Sequence, residues 1–311
     1  MAGPAGAQGS TAPPTRAGFV ALIGAPNVGK STLLNALVGQ KVSIVTHKVQ
    51  TTRALIRGIV IHRNAQIVFV DTPGIFAPKR RLERAMVSTA WGGAADADVV
   101  ALLVDARKGL SDEDRAIIAK LANFPKERER ALILNKVDAT KRETLLALAA
   151  EANELGKFSR TFMVSALTGD GVPDLLDYFA GKMPEGPFLY PEDQMTDVPL
   201  RSLAAEITRE KLMLRLHDEL PYRTTVETEK WTEQKNGVRI DQTIYVERES
   251  QRKIVLGKGG ETIKAISMAA RKDIAEVVER PVHLFLFVKV RENWADDPER
   301  YREMGIEFPK G

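Results

Sequence analysis

The chain has 311 residues, enough for about two domains, and 44% hydrophobic with 28% charged residues is an ordinary globular balance. It has no cysteine, which excludes disulfides and thiolate metal sites and fits a reducing cytoplasm, and its four histidines (His47, His62, His217, His283) lack ligand spacing. Net charge is +4, which permits nucleic-acid binding without requiring it; no apolar run approaches bilayer length, and no secretory signal is read at the N-terminus.

Residues 1–16 are rich in Gly, Ala, Pro, Ser and Thr and are expected to be disordered. A domain over 17–182 follows, in which apolar runs alternate with helical stretches. Phe19–Ile23, Ile67–Val70, Val99–Val104, Ala131–Leu134 and Thr161–Val164 read as buried strands. Ser31–Leu37, Ser111–Leu121 and Lys141–Leu155 read as helices, and Ala54–Ile61 as an added strand at a sheet edge. This order predicts an α/β domain with a mostly parallel sheet covered on both faces.

Between the first strand and first helix lies Gly24-Ala25-Pro26-Asn27-Val28-Gly29-Lys30-Ser31-Thr32, a full phosphate-loop pattern. Its glycines let backbone N–H groups curl around phosphate oxygens at the positive end of a helix. Lys30 can reach the β- and γ-phosphates, and the Ser31 hydroxyl can bind Mg²⁺. Three more strings sit at strand ends, where ligands bind open α/β sheets. Asp71-Thr72-Pro73-Gly74 offers Asp71 to Mg²⁺ through water and the Gly74 N–H to the γ-phosphate. Asn135-Lys136-Val137-Asp138 offers a carboxylate at Asp138 to guanine N1 and N2, a donor pair that adenine lacks, which selects GTP and GDP over adenine nucleotides. Ser165-Ala166-Leu167 can reach guanine O6 through a backbone N–H. Thr51 and Thr52 lie between the phosphate loop and the Asp71 strand, and spacing alone does not choose which of them closes onto Mg²⁺.

The alternation stops near Lys182. Residues 183–198 are dense in proline and read as a linker. Over 199–293 the order changes: a helix from Leu203 to about Leu220, extended segments Thr224–Trp231 and Val238–Glu247, two helices around Gly257-Lys258-Gly259-Gly260, and a strand His283–Val290. Six basic residues against one acid fall between Arg252 and Lys272. A Gly-x-x-Gly loop between helices in that strand order is the nucleotide clamp of a type II KH domain, an α+β fold. Gly257, Gly259 and Gly260 would admit phosphates, Lys258 and Lys264 add charge, and Ile254, Val255 and Ile263 would floor the groove. Residues 294–311 read as a tail.

On these motifs, with Gln50-Thr51-Thr52-Arg53, the chain resembles the Era-type family within the translation-factor class of GTPases, over about Gly18 to Asn293. The resemblance implies that Thr52 is the threonine that binds Mg²⁺ in the GTP state, and that Lys30, Thr52 and Gly74 carry catalysis. It implies a monomeric cytoplasmic protein that binds the 3′ end of 16S ribosomal RNA, assists assembly of the small (30S) subunit, and associates peripherally with the inner face of the cell membrane. The Trp294–Tyr301 segment also suits the family. Ras-like GTPases carry a water-orienting glutamine after Asp-x-x-Gly, where this chain has Ile75, so unassisted hydrolysis is expected to be slow. Some GTPases of the wider group hold K⁺ on a phosphate-loop asparagine. Asn27 either holds K⁺ in that way or merely shapes the loop. Two other readings stay open: an RNA-binding protein that holds nucleotide for stability alone, and a tRNA-modification GTPase. The Mg²⁺ and γ-phosphate set argues against the first, the Gly-Lys-Gly-Gly unit against the second.

Overall fold

The computed structural model describes residues 13–125, 127–292, 298–303 and 305–308. β1 (Arg16–Ile23) lies between β3 (Ala65–Asp71) and β4 (Val99–Asp105), and β5 (Glu129–Asn135) and β6 (Arg160–Val164) continue the sheet on the β4 side, all parallel. β2 (Ile56–His62) is the antiparallel edge strand, giving the order β2-β3-β1-β4-β5-β6. Every residue of β3 and β4 is buried, the signature of strands covered on both faces.

One face is covered by α1 (Lys30–Val38) and α5 (Val172–Lys182), whose Leu33, Leu34 and Phe179 pack on Phe69 and Ile133. The other is covered by α2 (Arg81–Asp96), α3 (Asp112–Leu121) and α4 (Arg142–Gly156), through Ala90, Ile117 and Leu145. α3 begins where the sequence requires: the Ser111 hydroxyl accepts from Asp114 N–H, and the Asp114 carboxylate accepts from Ser111 N–H.

The C-terminal unit is α6 (Leu200–Arg215), β7 (Thr225–Gln234), β8 (Gly237–Val246), α7 (Glu249–Leu256), α8 (Glu261–Val278) and β9 (Val282–Val290). Its sheet has the order β7-β8-β9, with β8 and β9 parallel. Ile240 and Ile244 of β8 face the helices and meet Ile207, Leu212, Ile266 and Ile274. A short last helix, α9 (Pro298–Glu303), returns to the first domain, where buried Tyr301 and Ile306 pack on Leu82 and Met86 of α2.

Two expectations need correction. Arg16, assigned to the disordered segment, opens β1 opposite Ala65, because its guanidinium binds Met183 carbonyl and Glu185; residues 1–12 lie outside the described set, as do 293–297 of the expected family segment. The first C-terminal helix ends at Arg215, not near Leu220: Leu216 is extended and Asp218 has φ 54°, so the chain turns before Pro221. The linker, 183–198, runs along the first domain. Gln66, fully buried in β3, donates to Tyr190 carbonyl and accepts from Leu189 and Tyr190 N–H, while Ile59 N–H of edge strand β2 donates to Met195 carbonyl. The prolines suit a segment that binds through scattered contacts without forming a continuous ladder.

Candidate functional site

The phosphate loop joins the end of β1 to α1. Gly29, which caps α1, has φ 101°, and a Cβ there would stand 2.3 Å from the Asn135 amide nitrogen, so both conformation and space call for glycine. Asn27 also has positive φ, 64°, which asparagine tolerates better than most residues. Lys30 is buried beneath the loop and donates to the carbonyls of Gly24 and Ala25 at 3.1 and 3.0 Å. Burial pulls its pKa down to about 8, against the attraction of Asp71.

Asp71 stands at the end of β3, fully buried. Its Oδ2 accepts from Ser31 at 2.6 Å, from Ser43 at 3.1 Å and from Thr52 at 3.4 Å, and Ser31 and Thr52 hydroxyls lie 2.9 Å apart. Burial pushes the Asp71 carboxyl up, with Lys30 and these hydroxyls opposing. Its Oδ1 is buried without a hydrogen-bond partner. A hard-oxygen set of two hydroxyls and a carboxylate, with one buried oxygen unsatisfied, fits a magnesium ion and its waters. Thr51 is turned away: its hydroxyl bonds Thr46 and Lys48 carbonyl. Of the two threonines left open by spacing, Thr52 is the one in the oxygen cluster.

The remaining motifs brace the loop. Asn135 donates to Val28 carbonyl at 2.8 Å and accepts from Lys136 and Ala166 N–H, so one side chain ties the phosphate loop to the Ser165-Ala166-Leu167 turn. The Lys136 ammonium reaches Asn27 carbonyl at 2.6 Å and Asp105 at 2.8 Å. Burial alone would raise Asp105, but bonds from Arg107 and Lys136 hold it at about 2. Asp138 is exposed in the turn Val137–Ala139, and Leu167 is exposed beside a buried Ser165. Thr72 donates to Leu22 carbonyl at the foot of the loop after β3, and Pro26 packs against Gly74. Ile75 donates its N–H to Gly24 carbonyl and buries its side chain in the core beside Ala21 and Ile23. A cleft of about 430 Å³ opens between Asn27, Lys30, Ser31, Thr52, Gly74 and Lys136.

The segment between α1 and β2 faces both domains. Ile44 is 2% exposed and belongs to the C-terminal core with Leu203 and Ile207. Val45 N–H donates to Glu210, and Lys41 bridges Glu210 and Asp273 at 2.7 and 3.2 Å. Lys48 bonds Leu216 carbonyl, and Arg209 bonds Thr51 carbonyl. Buried Arg53 donates to the carbonyls of Thr224 and Tyr222, each at 3.1 Å. Sequence reasoning missed Ser43, Asp105 and Ile44, and named Arg53 only within the family string 50–53, without a role. Asp105 could have been found by the rule already used, an acid at the C-terminal end of a parallel strand; the other three carry no such signal of what they do.

In the C-terminal unit, Gly257–Gly260 joins α7 to α8. Gly257 has φ 74°, and a Cβ there would stand 2.2 Å from the Thr262 hydroxyl. Lys258, Lys264 and Ile254 are exposed, and nothing crowds Gly259 or Gly260. Val255 corrects the sequence reading. It is fully buried beside Ile244 and Ile266, so it supports α7 from within and offers no surface to a base. Ile263 is partly buried against the same cluster.

Comparison with known proteins agrees with this architecture. A family model described as a 50S ribosome-binding GTPase matches residues 19–136, and a KH domain model matches 219–295. The GTPase Era of Sinorhizobium medicae is 67% identical over 302 residues, spanning 97% of each chain. That of Afipia carboxidovorans is 70% identical over 298 residues, spanning 96% of each. Among solved structures, an Era variant from Aquifex aeolicus bound to GDP and AlF4⁻ superposes with a TM-score of 0.87 at 38% identity, covering 94% of this chain and 99% of its own. A structure of Era with MgGDPNP and nucleotides 1506–1542 of 16S ribosomal RNA gives the same TM-score, identity and coverage.

Proposed function

The chain belongs to the Era family of GTPases, with a KH domain at its C-terminal end, and on that premise we propose that it is a magnesium-dependent switch that binds the 3′ end of 16S ribosomal RNA and assists small-subunit assembly. The observation that carries this reading is the pair Thr52 and Arg53. Thr52 turns into the oxygen cluster around Asp71, and Arg53, the next residue, turns into the KH unit. A segment that senses nucleotide on one side and holds the RNA-binding unit on the other is a two-state coupling element.

Ser31, Thr52 and Asp71 would hold Mg²⁺, which when bound offsets charge on the β- and γ-phosphate oxygens. The Lys30 ammonium, drawn from its two carbonyls onto the phosphates, stabilises charge at the bridging oxygen, and the Gly74 N–H registers the γ-phosphate. Ile75 has no polar group to orient water, so isolated turnover is slow. K⁺ held by Asn27 would supply the missing charge, and its positive φ equally suits a residue that only shapes the loop. Asp138 selects guanine. Lys258 and the glycines at 257, 259 and 260 clamp the RNA backbone, with Ile254 beneath the bases and Lys264 adding charge. Cytoplasmic location, a monomeric state and peripheral membrane association are part of the same family reading; among the described residues no helix is long and apolar enough to cross a membrane.

The test is affinity for the 1506–1542 RNA segment with GDP and with a non-hydrolysable GTP analogue. GTP-form protein should bind RNA more tightly, by a coupling of about 1–3 kcal/mol. Gly259→Asp should abolish RNA binding and leave nucleotide affinity unchanged. Equal RNA affinity in both nucleotide states would reduce the two domains to a tether.

A further inference from the structure

The helices of the KH unit cover one face of its sheet; the other face carries an aromatic and basic stripe that the clamp does not use. Along β9, Val282, Leu284, Leu286 and Val288 point inward, so His283, Phe285, Phe287 and Lys289 share the outer face. Phe285 is 44% exposed and Phe287 is 51% exposed. Arg239, opposite His283 on β8, lays its guanidinium over the Phe285 ring at 4.4 Å, oriented by Asp241 at 3.0 Å. Arg291 lies over the Tyr245 ring at 4.6 Å. Lys289 is largely exposed, 3.9 Å from Glu229. The acids of this face are Asp241, on β8 opposite Phe285 and paired with Arg239, and Glu227 and Glu229 on β7, of which Glu229 approaches Lys289.

We propose that the outer face of β9, Phe285 and Phe287 with Arg239 and Lys289, is a second RNA surface that stacks bases of the single strand running on from the Gly-x-x-Gly clamp. This rests on the RNA-binding function proposed above. Two observations choose the occupant. β9 is continuous with the clamp: α7, which leads into Gly257, lies on it, and Arg252 donates to Val288 carbonyl at 3.2 Å. A strand leaving the clamp across this edge meets the outer rings next. The composition also suits RNA. Aromatic faces at alternate positions accept any base, and the flanking cations follow the backbone. Such a loop clamps only about four nucleotides, whereas the RNA in the structure of the related Era spans nucleotides 1506–1542, long enough to run beyond a clamp.

The experiment compares two probes on the full chain with the GTP analogue. The long probe is the 1506–1542 segment, and the short one is a single strand of about six nucleotides from its 3′ part, little more than the clamp holds. Phe285→Ser combined with Phe287→Ser should weaken the long probe roughly tenfold to a hundredfold and leave the short probe unchanged, because stacking is lost only beyond the clamp. The matching double change to Tyr keeps the rings and should bind like wild type. Lys289→Glu, exposed and remote from the core, should weaken the long probe and flatten its salt dependence. No loss on either probe, or equal loss on both, overturns the proposal, and the first result would hand this face to a protein or a lipid surface. Wild type that binds neither probe would instead refute RNA binding itself.

Discussion

Arg53→Ala is the sharpest perturbation of the link between nucleotide and KH unit. The guanidinium is 4% exposed and donates to two KH-side carbonyls, Thr224 and Tyr222, at 3.1 Å. Hydrogen bonds from a charged donor contribute about 1.5–3 kcal/mol each, so the pair holds roughly 3–6 kcal/mol of docking energy. The loss has two sinks. The orphaned carbonyls can stay buried and unpaired, or the domains can part and let water in, and only the second restores their hydrogen bonds. We therefore expect the variant to separate into two urea transitions, followed by Trp91 in the GTPase domain and Trp231 in the KH unit, where wild type shows one. The ratio of RNA affinities between GTP-analogue and GDP forms should fall from the tenfold range toward unity, while GTP itself still binds, since Thr52, Ser31 and Asp71 are intact. Arg53→Lys, which keeps the charge but lacks the planar forked donor, should fall between. An Arg53→Ala protein with a single transition and an undiminished nucleotide effect on RNA binding would refute the reasoning.

Other consequences follow from the same geometry. Asp138→Asn should shift preference from GTP toward xanthosine triphosphate in competition binding; unchanged preference removes Asp138 from the site. K⁺ in place of Na⁺ should accelerate hydrolysis, and Asn27→Ala should erase the difference. Asn27→Gly, suited to φ 64°, separates ligand from loop shape: K⁺ stimulation that survives it shows the amide is no ligand. Asp105, held at about 2 when folded against an ordinary value of 3.8, binds its proton more readily in the unfolded chain. Its contribution, about 2 kcal/mol, is therefore present above pH 4 and lost as pH falls from about 4 to 2. Asp105→Asn should flatten the acid limb of stability in that window, and an unaltered limb would show that the bonds from Arg107 and Lys136 contribute nothing.

The candidate site was legible as a convergence of residues because each of its parts is a contiguous string at the end of an apolar strand. Gly24 to Thr32, Asp71 to Gly74 and Asn135 to Asp138 each announce both their chemistry and their place in the sheet. The KH fold was legible from its element order. What stayed hidden depends on contacts between distant parts of the chain. Ile44 is one of four apolar residues in 41–53, and nothing in that stretch tells that it is the one that enters another domain's core. Arg53 has the look of a surface arginine until its two carbonyl partners are known. Ile254 and Val255 are adjacent in a short helix, and eight residues are too few for periodicity to tell which of them faces inward. The linker's contacts were hidden for a related reason: prolines signal that no ladder forms, but not that Gln66 waits beneath to bind the segment.

The return of α9 to α2 changes what kind of motion the molecule can make. A KH unit hung from 183–198 alone would sample a cone of orientations. Here the polypeptide leaves the first domain along the β2 edge and comes back to it through Tyr301 and Ile306, so both ends of the second domain's chain are held, and 41–53 packs between them. A body held at both ends has its range of swing narrowed. Movement of 41–53 would then act on the KH unit as a crank does, turning a small displacement into a swing within that narrowed range.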